Sequence, residues 1–185
     1  MLDINDLKSG LTVKLDGTVY LIVDSQQVKP GKGSAFARVK LKNMRLGTVI
    51  ERTFRSGEKI EEAFVNERKV QYLYQAGDTF HFMDTETYDQ LTLAEDQMGK
   101  TNLFLKENMV ITLLEHEGQI LSVIPPMFVE LKVVQADPGL RGDTAKGGNK
   151  AARVETGASV QVPLFVAEGD VIKIDTRTGT YVSRV

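Results

Sequence analysis

Hydrophobic and polar residues alternate with period two through most of the N-terminal third of the chain, which is the pattern of half-buried β-strands. Residues 13–23 alternate on both sides of an Asp-Gly dipeptide, which predicts a two-residue hairpin turn. After a reversal in the stretch KPGKGS at residues 29–34, residues 35–42 return with the same period, and residues 48–54 follow as a further strand. The pattern therefore predicts a small N-terminal β-barrel.

The rest of the chain also consists of short strands that close on turns, which is typical of five-stranded barrels of the oligonucleotide-binding (OB) kind. Pro125-Pro126 interrupts the pattern, and Thr101 is predicted to cap a short helix. The predicted strands are 70–74, 79–83, 109–114, 119–124, 129–133, 159–166, 171–175 and 180–185, with a long glycine-rich loop before residue 159. We therefore predict an all-β chain of three small domains, 1–63, 64–126 and 127–185.

Charge is distributed unevenly along the chain, although the net charge is only −2. Residues 65–130 carry 4 basic and 11 acidic side chains, so the middle third is acidic. In contrast, residues 27–55 carry eight basic side chains and one acidic side chain, Glu51. A basic patch on a nearly neutral protein is suited to docking on phosphates. The alternative is a solvated hairpin face without a ligand.

A single lysine, Lys32, occupies the apex of the predicted reversal. Pro30, Gly31 and Gly33 favour a tight turn with no room for a core side chain. The lysine is therefore expected to be exposed and open to covalent modification. A basic stripe is predicted to lead away from it on one face of the returning strand, formed by Arg38, Lys40 and Lys42. The alternative is an ordinary hairpin lysine with no role.

Residues for catalysis or metal binding are missing from the sequence. The chain has no cysteine, and its two histidines, His81 and His116, lack zinc-type spacing. Asp84 and Glu86 are expected to lie on one face of a strand as a solvated acidic pair, with no nucleophile placed to work with them. We therefore expect a protein that is not an enzyme, with no catalytic residue, no metal and no cofactor.

Two other motif matches carry no function. A phosphate-binding P-loop would need glycine where Gln26 stands and serine or threonine where Gly33 stands, and residues 142–149 depart from the same pattern. The cell-adhesion tripeptide Arg141-Gly142-Asp143 is a chance match. The chain has no apolar run long enough to cross a membrane and no signal-peptide pattern, so we expect a cytoplasmic protein that does not bind membranes.

Four long stretches of the chain match a known family. They are KPGKGSAFARVKLKN (29–43), IPPMFVELKV (124–133), DPGLRGDTAKGGNKAA (137–152) and TGASVQVPLFVAEGDVIKIDTRTGTYVSRV (156–185). On these residues the chain resembles the bacterial translation elongation factor P family, from near Asp3 to Val185. The resemblance implies an L-shaped, tRNA-sized protein with an N-terminal SH3-like barrel and two OB-fold barrels, which agrees with the three predicted domains.

The resemblance also implies a function in translation. Such a factor binds both ribosomal subunits between the peptidyl and exit tRNA sites and positions peptidyl-tRNA, which relieves stalling at consecutive prolines. Lys32 would enter the peptidyl transferase centre on a tip hairpin that also contains Lys29, Pro30, Gly31 and Gly33. In many members the tip lysine carries a β-lysyl or aminopentanol group, which implies a lysine-modifying enzyme as a partner. A monomer is expected.

Contacts with ribosomal RNA or tRNA are implied at further positions. They are Arg38, Lys40, Lys42, Arg55, Gly142, Asp143, Thr144, Ala145, Tyr181 and Arg184.

A different class of function is a general single-stranded nucleic-acid-binding protein built on OB-folds. Such a protein interleaves basic groups with stacking aromatic rings. Here Tyr72, Tyr74, Phe80 and Phe82 lie in the acidic part of the chain, which argues against this function. A third alternative is a member of the family with a specialised role.

Overall fold

Three five-stranded β-sheets account for most of the structure. The computed structural model of the chain describes residues 1–138 and 148–185. Helical segments in these ranges are short: a 3-10 helix over Ile4–Asp6, the one-turn α-helix α1 over Glu95–Met98 and a 3-10 helix over Gly99–Phe104. The predicted all-β class is confirmed.

The first sheet lies within the N-terminal third of the chain. Its strands are β1 (Thr12–Leu15), β2 (Thr18–Val28), β3 (Phe36–Asn43), β4 (Val49–Arg55) and β5 (Glu61–Glu62). Their order across the sheet is β4-β3-β2-β1-β5. Asp16 and Gly17 join β1 to β2 with φ angles of 49° and 78°, as a type I′ hairpin turn requires. The predicted Asp-Gly hairpin is therefore confirmed.

Alternation on β3 separates a buried face from a charged one. Ala37, Val39 and Leu41 have no exposed surface and pack with Ile22 and Phe54 in one hydrophobic core. Because a one-residue slip would turn this apolar face to water, the packing fixes which residues point outward. The outward residues include the predicted stripe of Arg38, Lys40 and Lys42, all of which are exposed.

The second sheet is formed by the middle of the chain. Its strands are β6 (Asn66–Ala76), β7 (Thr79–Asp84), β8 (Gln90–Ala94), β9 (Val110–His116) and β10 (Gln119–Ile124), in the order β10-β9-β6-β7-β8. Strand β8 was not predicted. Its residues QLTLA alternate, but the pattern is only five residues long and Leu93 alone is buried, so the signal was missed.

The prediction that Thr101 caps a helix was wrong. Helical structure already begins at Glu95, where the side chain of Gln97 accepts a hydrogen bond from the Ala94 N–H at 3.0 Å. Thr101 lies inside the second 3-10 helix and is buried. Its hydroxyl donates a hydrogen bond to the carbonyl of Val123 at 3.4 Å, so it ties the helix to β10.

The expectation of a solvated acidic pair at Asp84 and Glu86 was also wrong. Asp84 is only 5% exposed, and its Oδ1 accepts hydrogen bonds from the N–H groups of Glu86 and Thr87 at 2.7 and 2.9 Å. The carboxylate therefore organises the turn between β7 and β8, because aspartate at such a position satisfies backbone donors that no strand partner reaches.

The third sheet completes the fold. Its strands are β11 (Phe128–Ala136), β12 (Asn149–Val154), β13 (Ser159–Pro163), β14 (Val171–Asp175) and β15 (Thr180–Arg184), in the order β13-β12-β11-β14-β15. Strand β13 also contacts β15, so the sheet curls toward closure. Its core contains the fully buried Leu131, Val162 and Ile172, together with Phe104 from the preceding 3-10 helix.

Two features of this sheet differ from the prediction. Strand β12 lies where the sequence predicted only loop, because its residues NKAARV have weak strand propensity. Strand β13 ends at Pro163 rather than at Val166, and proline has no N–H with which to continue a ladder.

By compactness the chain divides into two units. One contains Met1–Arg68 and Leu113–Ser122, and the other contains Lys69–Thr112 and Val123–Val185. The domain bounds 1–63, 64–126 and 127–185 stay a prediction. None of the helices in the described residues is long and apolar enough to span a membrane.

Candidate functional site

The loop between β2 and β3 presents Lys32 to solvent. All six residues from 29 to 34 are exposed. Gly33 has a φ of 112°, which side chains rarely allow, whereas Gly31 does not need a positive φ. Within the part of the chain that the structure describes, Lys32 forms no hydrogen bond and no ion pair. Its ammonium group is therefore free to contact a partner.

The tip is held by a ladder that extends close to it. Strand β3 pairs with β2 from Tyr20↔Asn43 to Val28↔Phe36, and on its other side it pairs with β4 as far as Phe36↔Arg55. Its 8 residues span about 27 Å at the usual rise per residue. Because β3 is paired on both edges up to Phe36, the tip is carried on a three-stranded support rather than on an isolated hairpin.

The predicted RNA-binding residues of the first sheet lie on one surface. Arg38, Lys40 and Lys42 follow one another along the outer face of β3. Arg55 joins this face from β4, because it pairs directly with Phe36. Arg38 and Arg55 line a common cleft beside the tip, whereas Lys40 and Lys42 lie further along the strand.

Two further predicted residues lie in the third sheet. Tyr181 is half-buried and packs against the core of that sheet. Arg184 is exposed on β15, with its guanidinium carbon 5.5 Å from the ring centroid of Phe165 and a terminal nitrogen 3.5 Å from Oδ2 of Asp170. The remaining predicted residues, Gly142, Asp143, Thr144 and Ala145, lie outside the described residues.

Sequence reasoning missed Phe165 and Phe36 as parts of these surfaces. Phe165 is 62% exposed, yet it lies in an apolar stretch that the pattern assigned to a buried strand. Phe36 is half-buried and lies under the guanidinium of Arg38, 5.8 Å from its ring centroid. An arginine two residues from a phenylalanine on one strand face was the signal for this pair, since such residues share a face.

The aromatic residues of the second sheet do not form a stacking surface. Tyr72, Phe80 and Phe82 are buried and in contact with one another, with centroid distances of 6.2 and 5.5 Å from Tyr72. Burial, and then the charge of Glu107, raise the pKa of Tyr72. Tyr74 is half-exposed and stacks on His81 at 4.4 Å. Three of the four rings are therefore core residues, which counts against general single-strand binding.

Two carboxylates that lie away from the basic stripe, Asp175 and Glu155, form ion pairs with neighbouring basic side chains. Hydrogen bonds from the Arg177 side chain hold the pKa of Asp175 below its ordinary value and raise that of Arg177. For Glu155, burial raises the pKa, but hydrogen bonds from the backbone of Lys132 and the side chain of Lys106 outweigh it and lower the pKa. Among the described residues, no group of three potential ligands is placed to hold a metal ion.

Family models match the chain along almost its whole length. The model described as Elongation factor P (EF-P) KOW-like domain matches residues 3–60, the EF-P OB domain matches residues 65–123, and Elongation factor P, C-terminal matches residues 129–184. The chain belongs to the elongation factor P family. The resemblance inferred from the sequence is thereby confirmed, and so is the fold class of a KOW-like (SH3-like) domain with OB domains.

Individual members of the elongation factor P family are similar over the full chain. Elongation factor P of Natranaerobius thermophilus is 54% identical over 185 residues, which are 100% of this chain and 98% of the relative. Elongation factor P of Coprothermobacter proteolyticus is 55% identical, with full coverage of both chains. The chain is therefore a translation factor.

Two solved structures resemble this chain in fold at lower sequence identity. Eukaryotic translation initiation factor 5A from Methanococcus jannaschii superposes with a TM-score of 0.53 at 31% identity, over 66% of this chain and 92% of that chain. A translation initiation factor eif-5a family protein from Naegleria fowleri has a TM-score of 0.52 at 16% identity and covers 66% of this chain and 96% of its own. The second likeness concerns the fold alone.

Proposed function

We propose that the protein binds the ribosome between the peptidyl and exit tRNA sites and stimulates peptide-bond formation, so that stalling at consecutive prolines is relieved. In this proposal Lys32 reaches the peptidyl transferase centre and contacts the end of the peptidyl-tRNA. Arg38, Lys40, Lys42 and Arg55 contact RNA phosphates along the hairpin. Membership of the elongation factor P family supports an action in translation, and the tip hairpin supports this particular action.

The observation that carries the proposal is the presentation of Lys32. Its side chain is exposed and has no partner among the described residues, and it lies four residues before Phe36, where β3 begins and is already paired on both edges. A lysine held in this way keeps the mobility of its side chain but not of its backbone. It is therefore suited to enter a narrow cavity while the rest of the sheet remains outside.

Positioning alone is enough to explain the proposed rate effect. The proline ring restrains the backbone, so prolyl donors and acceptors react slowly. Holding the reactants in a productive geometry lowers the entropic part of the barrier without any catalytic group. A gain of about 1.4 kcal/mol already gives a tenfold faster reaction. The factor therefore needs no enzymatic chemistry of its own.

Lys32 is also the proposed site of covalent modification. Its ammonium group is exposed between two residues without side chains, Gly31 and Gly33, so a modifying enzyme would meet no steric obstacle there. A modification that lengthens the side chain extends its reach. Intact-mass measurement and peptide mapping of protein from the native host test this directly: unmodified mass at Lys32 in protein that is active on proline runs would contradict the need for modification.

Further RNA contacts are proposed for the C-terminal domain at Tyr181 and Arg184. Arg184 is half-exposed and held beside Phe165 and Asp170, so its guanidinium is available in a defined orientation. Residues Gly142, Asp143, Thr144 and Ala145 belong to the same proposal on the strength of the sequence resemblance alone. The protein is proposed to act as a monomer.

A reconstituted translation assay tests the proposal. The templates encode either a run of consecutive prolines or a matched sequence without prolines. Lys32→Ala should abolish the stimulation on the proline template and leave ribosome binding nearly unchanged, because only the tip contact is lost. Lys29→Ala removes an exposed charge from the same loop and serves as the control, with a smaller effect expected. Equal stimulation by Lys32→Ala and the parent would refute the proposed role of the tip.

A further inference from the structure

Strand β2, which leads to the tip loop, contains one residue more than its partner strand β3 requires. In the ladder between them, Ile22 pairs with Leu41, and the next pair is Asp24 with Lys40. Val23 lies between these pairs as an extra residue, whereas the ladder between β3 and β4 has no such shift. Val23 therefore forms a β-bulge, and a bulge bends the strand that contains it and increases its twist.

The extra residue is not needed for pairing or burial. Deletion of Val23 would make Ile22 and Asp24 neighbours, and their partners Leu41 and Lys40 are already neighbours on β3. The other pairs of the ladder would stay in register, so each side chain would keep its face. Val23 itself is 38% exposed and contributes little to the core. What the extra residue changes is the direction of the strand beyond it.

Two side chains tie the bulge and the arm, residues 24–28 of β2, to the N-terminal segment. The Ser9 hydroxyl donates a hydrogen bond to the carbonyl of Val23 at 3.0 Å. Four residues further along β2, the side-chain amide of Gln27 donates to the carbonyl of Ile4 at 3.2 Å. Ile4 is buried in the core of the first sheet. The second hydrogen bond therefore connects the arm to a fixed point.

The arm begins where the pairing of β2 with the N-terminal segment ends. Strand β1 pairs with β2 no further than Leu21, and backbone hydrogen bonds with Gly10 and Leu11 end at Ile22. Beyond the bulge, β2 has β3 on one edge and meets the N-terminal segment through the Gln27 side chain. The direction of the arm therefore depends on the bulge and on these two hydrogen bonds.

A small change of direction at the bulge is amplified toward the tip. The arm spans about 17 Å at the usual rise per residue. A rotation of about 10° at Val23 would therefore move Val28 by about 3 Å, before the loop that contains Lys32 begins.

We propose that the Val23 bulge sets the direction in which Lys32 is presented, and that Ser9 and Gln27 are positioning residues that maintain this direction. The functional part of this inference rests on the proposed function, because a fixed direction matters only if Lys32 must enter a narrow cavity. In positioned reactions an error of about 1 Å can cost about 100-fold in rate. The alternative is a bulge that serves only the curvature of the sheet over its core.

Distance measurements between pairs of spin labels test the direction of the arm. The chain has no cysteine, so labels can be placed at chosen positions. Ser34→Cys carries one label beside the tip, and the second is placed at opposite edges of the sheet, with Thr48→Cys or Glu61→Cys. All three positions are exposed. Deletion of Val23 should shift at least one of the two distances by about 3 Å.

Val23→Thr is the matched control for the deletion, because it keeps the residue count and with it the bulge. It should leave both distances unchanged. Unchanged distances in the deletion variant would overturn the proposal.

The translation assay, with unlabelled protein at saturating concentration, tests whether the direction is used. Deletion of Val23 should lower the maximal stimulation on the proline template about tenfold or more, because the tip is misplaced. Ribosome binding should stay nearly unchanged, and Val23→Thr should keep full stimulation. Shifted distances together with full stimulation in the deletion variant would overturn the positioning role and leave the bulge as a feature of sheet curvature.

Point variants keep the proposal testable if the deletion variant does not fold. Ser9→Ala and Gln27→Met each remove one hydrogen bond and should lower the maximal stimulation about two- to fivefold, the range that one hydrogen bond contributes. Both should broaden the distance distributions measured from Ser34→Cys. Ser9→Thr retains the hydroxyl and should restore the parent behaviour. Full stimulation and unchanged distances with both Ser9→Ala and Gln27→Met would overturn the proposal, and so would equal losses with Ser9→Ala and Ser9→Thr.

Lys32→Ala separates failure of this proposal from failure of the proposed function. Loss of stimulation with Lys32→Ala but not with deletion of Val23 would refute the positioning role and leave the proposed function standing. Full stimulation with Lys32→Ala would refute the proposed function, and the label distances would then decide on the direction of the arm alone.

Discussion

The carbonyl oxygen of Asp84 accepts a hydrogen bond from the N–H of Tyr88 at 3.1 Å, and Tyr88 holds a φ of 61°. The Asp84 side chain closes the same turn from the inside, since its Oδ1 accepts the N–H groups of Glu86 and Thr87. A buried acceptor at the first position and a left-handed residue four positions later therefore define the link from β7 to β8.

Each of the other two sheets contains the same turn. In the first sheet Asn43 O accepts from Gly47 N at 2.9 Å, and in the third sheet Asp175 O accepts from Gly179 N at 2.8 Å. Both glycines have positive φ, 72° and 69°. Asn43 and Asp175 are buried and accept backbone N–H groups two residues later, from Arg45 and Arg177. Three domains with different sequences thus share one device for joining two strands.

Tyr88 is the exception among the three left-handed positions, and its replacement by glycine should stabilise the protein. A left-handed conformation costs a non-glycine residue roughly 1–2 kcal/mol, and glycine returns about 0.5–1 kcal/mol of this in unfolded-state entropy. Since Tyr88 is 71% exposed, little packing is lost. We therefore expect Tyr88→Gly to raise the free energy of unfolding by about 0.5–1 kcal/mol in urea titration.

Gly179→Ala is the matched change in the opposite direction. A Cβ at this position would lie 3.6 Å from Cζ of Phe104, an ordinary contact, so the effect reports mainly the φ of 69°. It should lower the free energy of unfolding by about 1 kcal/mol. Destabilisation by Tyr88→Gly would show that the tyrosine side chain makes a contribution that its exposure does not reveal.

Much of the fold was predictable because alternation is strong wherever a strand buries one face. Strand β3 is the clearest case, with Val39 buried between Arg38 and Lys40. The turn at 176–179 was predicted from the sequence, but its recurrence in all three sheets was not. It needs only an Asn or Asp at the first position and a left-handed residue at the fifth, and Tyr88 hides the second signal where glycine would have shown it.

The candidate site was also only partly predictable from the sequence. The exposed tip around Lys32 was predictable, because Pro30 restricts its own φ and Gly33 permits the positive φ that the turn needs. The cleft beside it was not, since it depends on which residue of β4 faces Phe36. That pairing is set by the register between two strands, and the sequence of either strand alone does not contain it.

The two tip glycines should respond differently to substitution. Gly33 has a φ of 112°, so Gly33→Ala imposes a strain of about 1–3 kcal/mol that the loop relieves by changing its shape. Gly31 does not need a positive φ and has open space where a Cβ would lie, so Gly31→Ala should keep the tip conformation. We expect Gly33→Ala to lose most of the stimulation on proline templates and Gly31→Ala to retain it. Equal loss with both would indicate that bulk at the tip matters rather than backbone shape.

Phe165 should support RNA binding through Arg184. An exposed cation–π contact contributes about 0.5–1 kcal/mol, so Phe165→Ala should weaken ribosome binding about two- to fivefold. Phe128→Ala is the control, because Phe128 forms a similar contact with Lys173, at 4.9 Å, outside the proposed RNA-binding residues. Both variants should lose similar stability in urea titration. Equal weakening of ribosome binding by the two would assign the effect to stability and not to the orientation of Arg184.

Lys14 and Glu117 form an ion pair whose strength should depend on pH. Lys14 Nζ donates to Glu117 Oε2 at 2.9 Å. This hydrogen bond, followed by the charges of Lys14 and His116, lowers the pKa of Glu117 below its ordinary value of 4.5. The same bond raises the pKa of Lys14 above 10.5 against a smaller opposing effect of burial. The contribution of the pair to stability is therefore present between these two values. It is lost as pH falls through the lowered pKa of Glu117 or rises through the raised pKa of Lys14.

Comparing Glu117→Gln with the parent tests this window. At pH 7 the variant should unfold at a lower urea concentration, because Lys14 has lost its partner. The difference should vanish below the lowered pKa of Glu117, where the parent carboxyl is also neutral. Since the carboxylate is exposed, about 1 M salt should reduce the difference at pH 7 as well.

Glu67→Gln removes an exposed carboxylate that has no ion pair within the described residues, and it should show no such pH dependence. A difference between Glu117→Gln and the parent that stays unchanged as the pH is lowered until the Glu117 carboxyl is protonated would mean that the substitution acts through the turn and not through the charge.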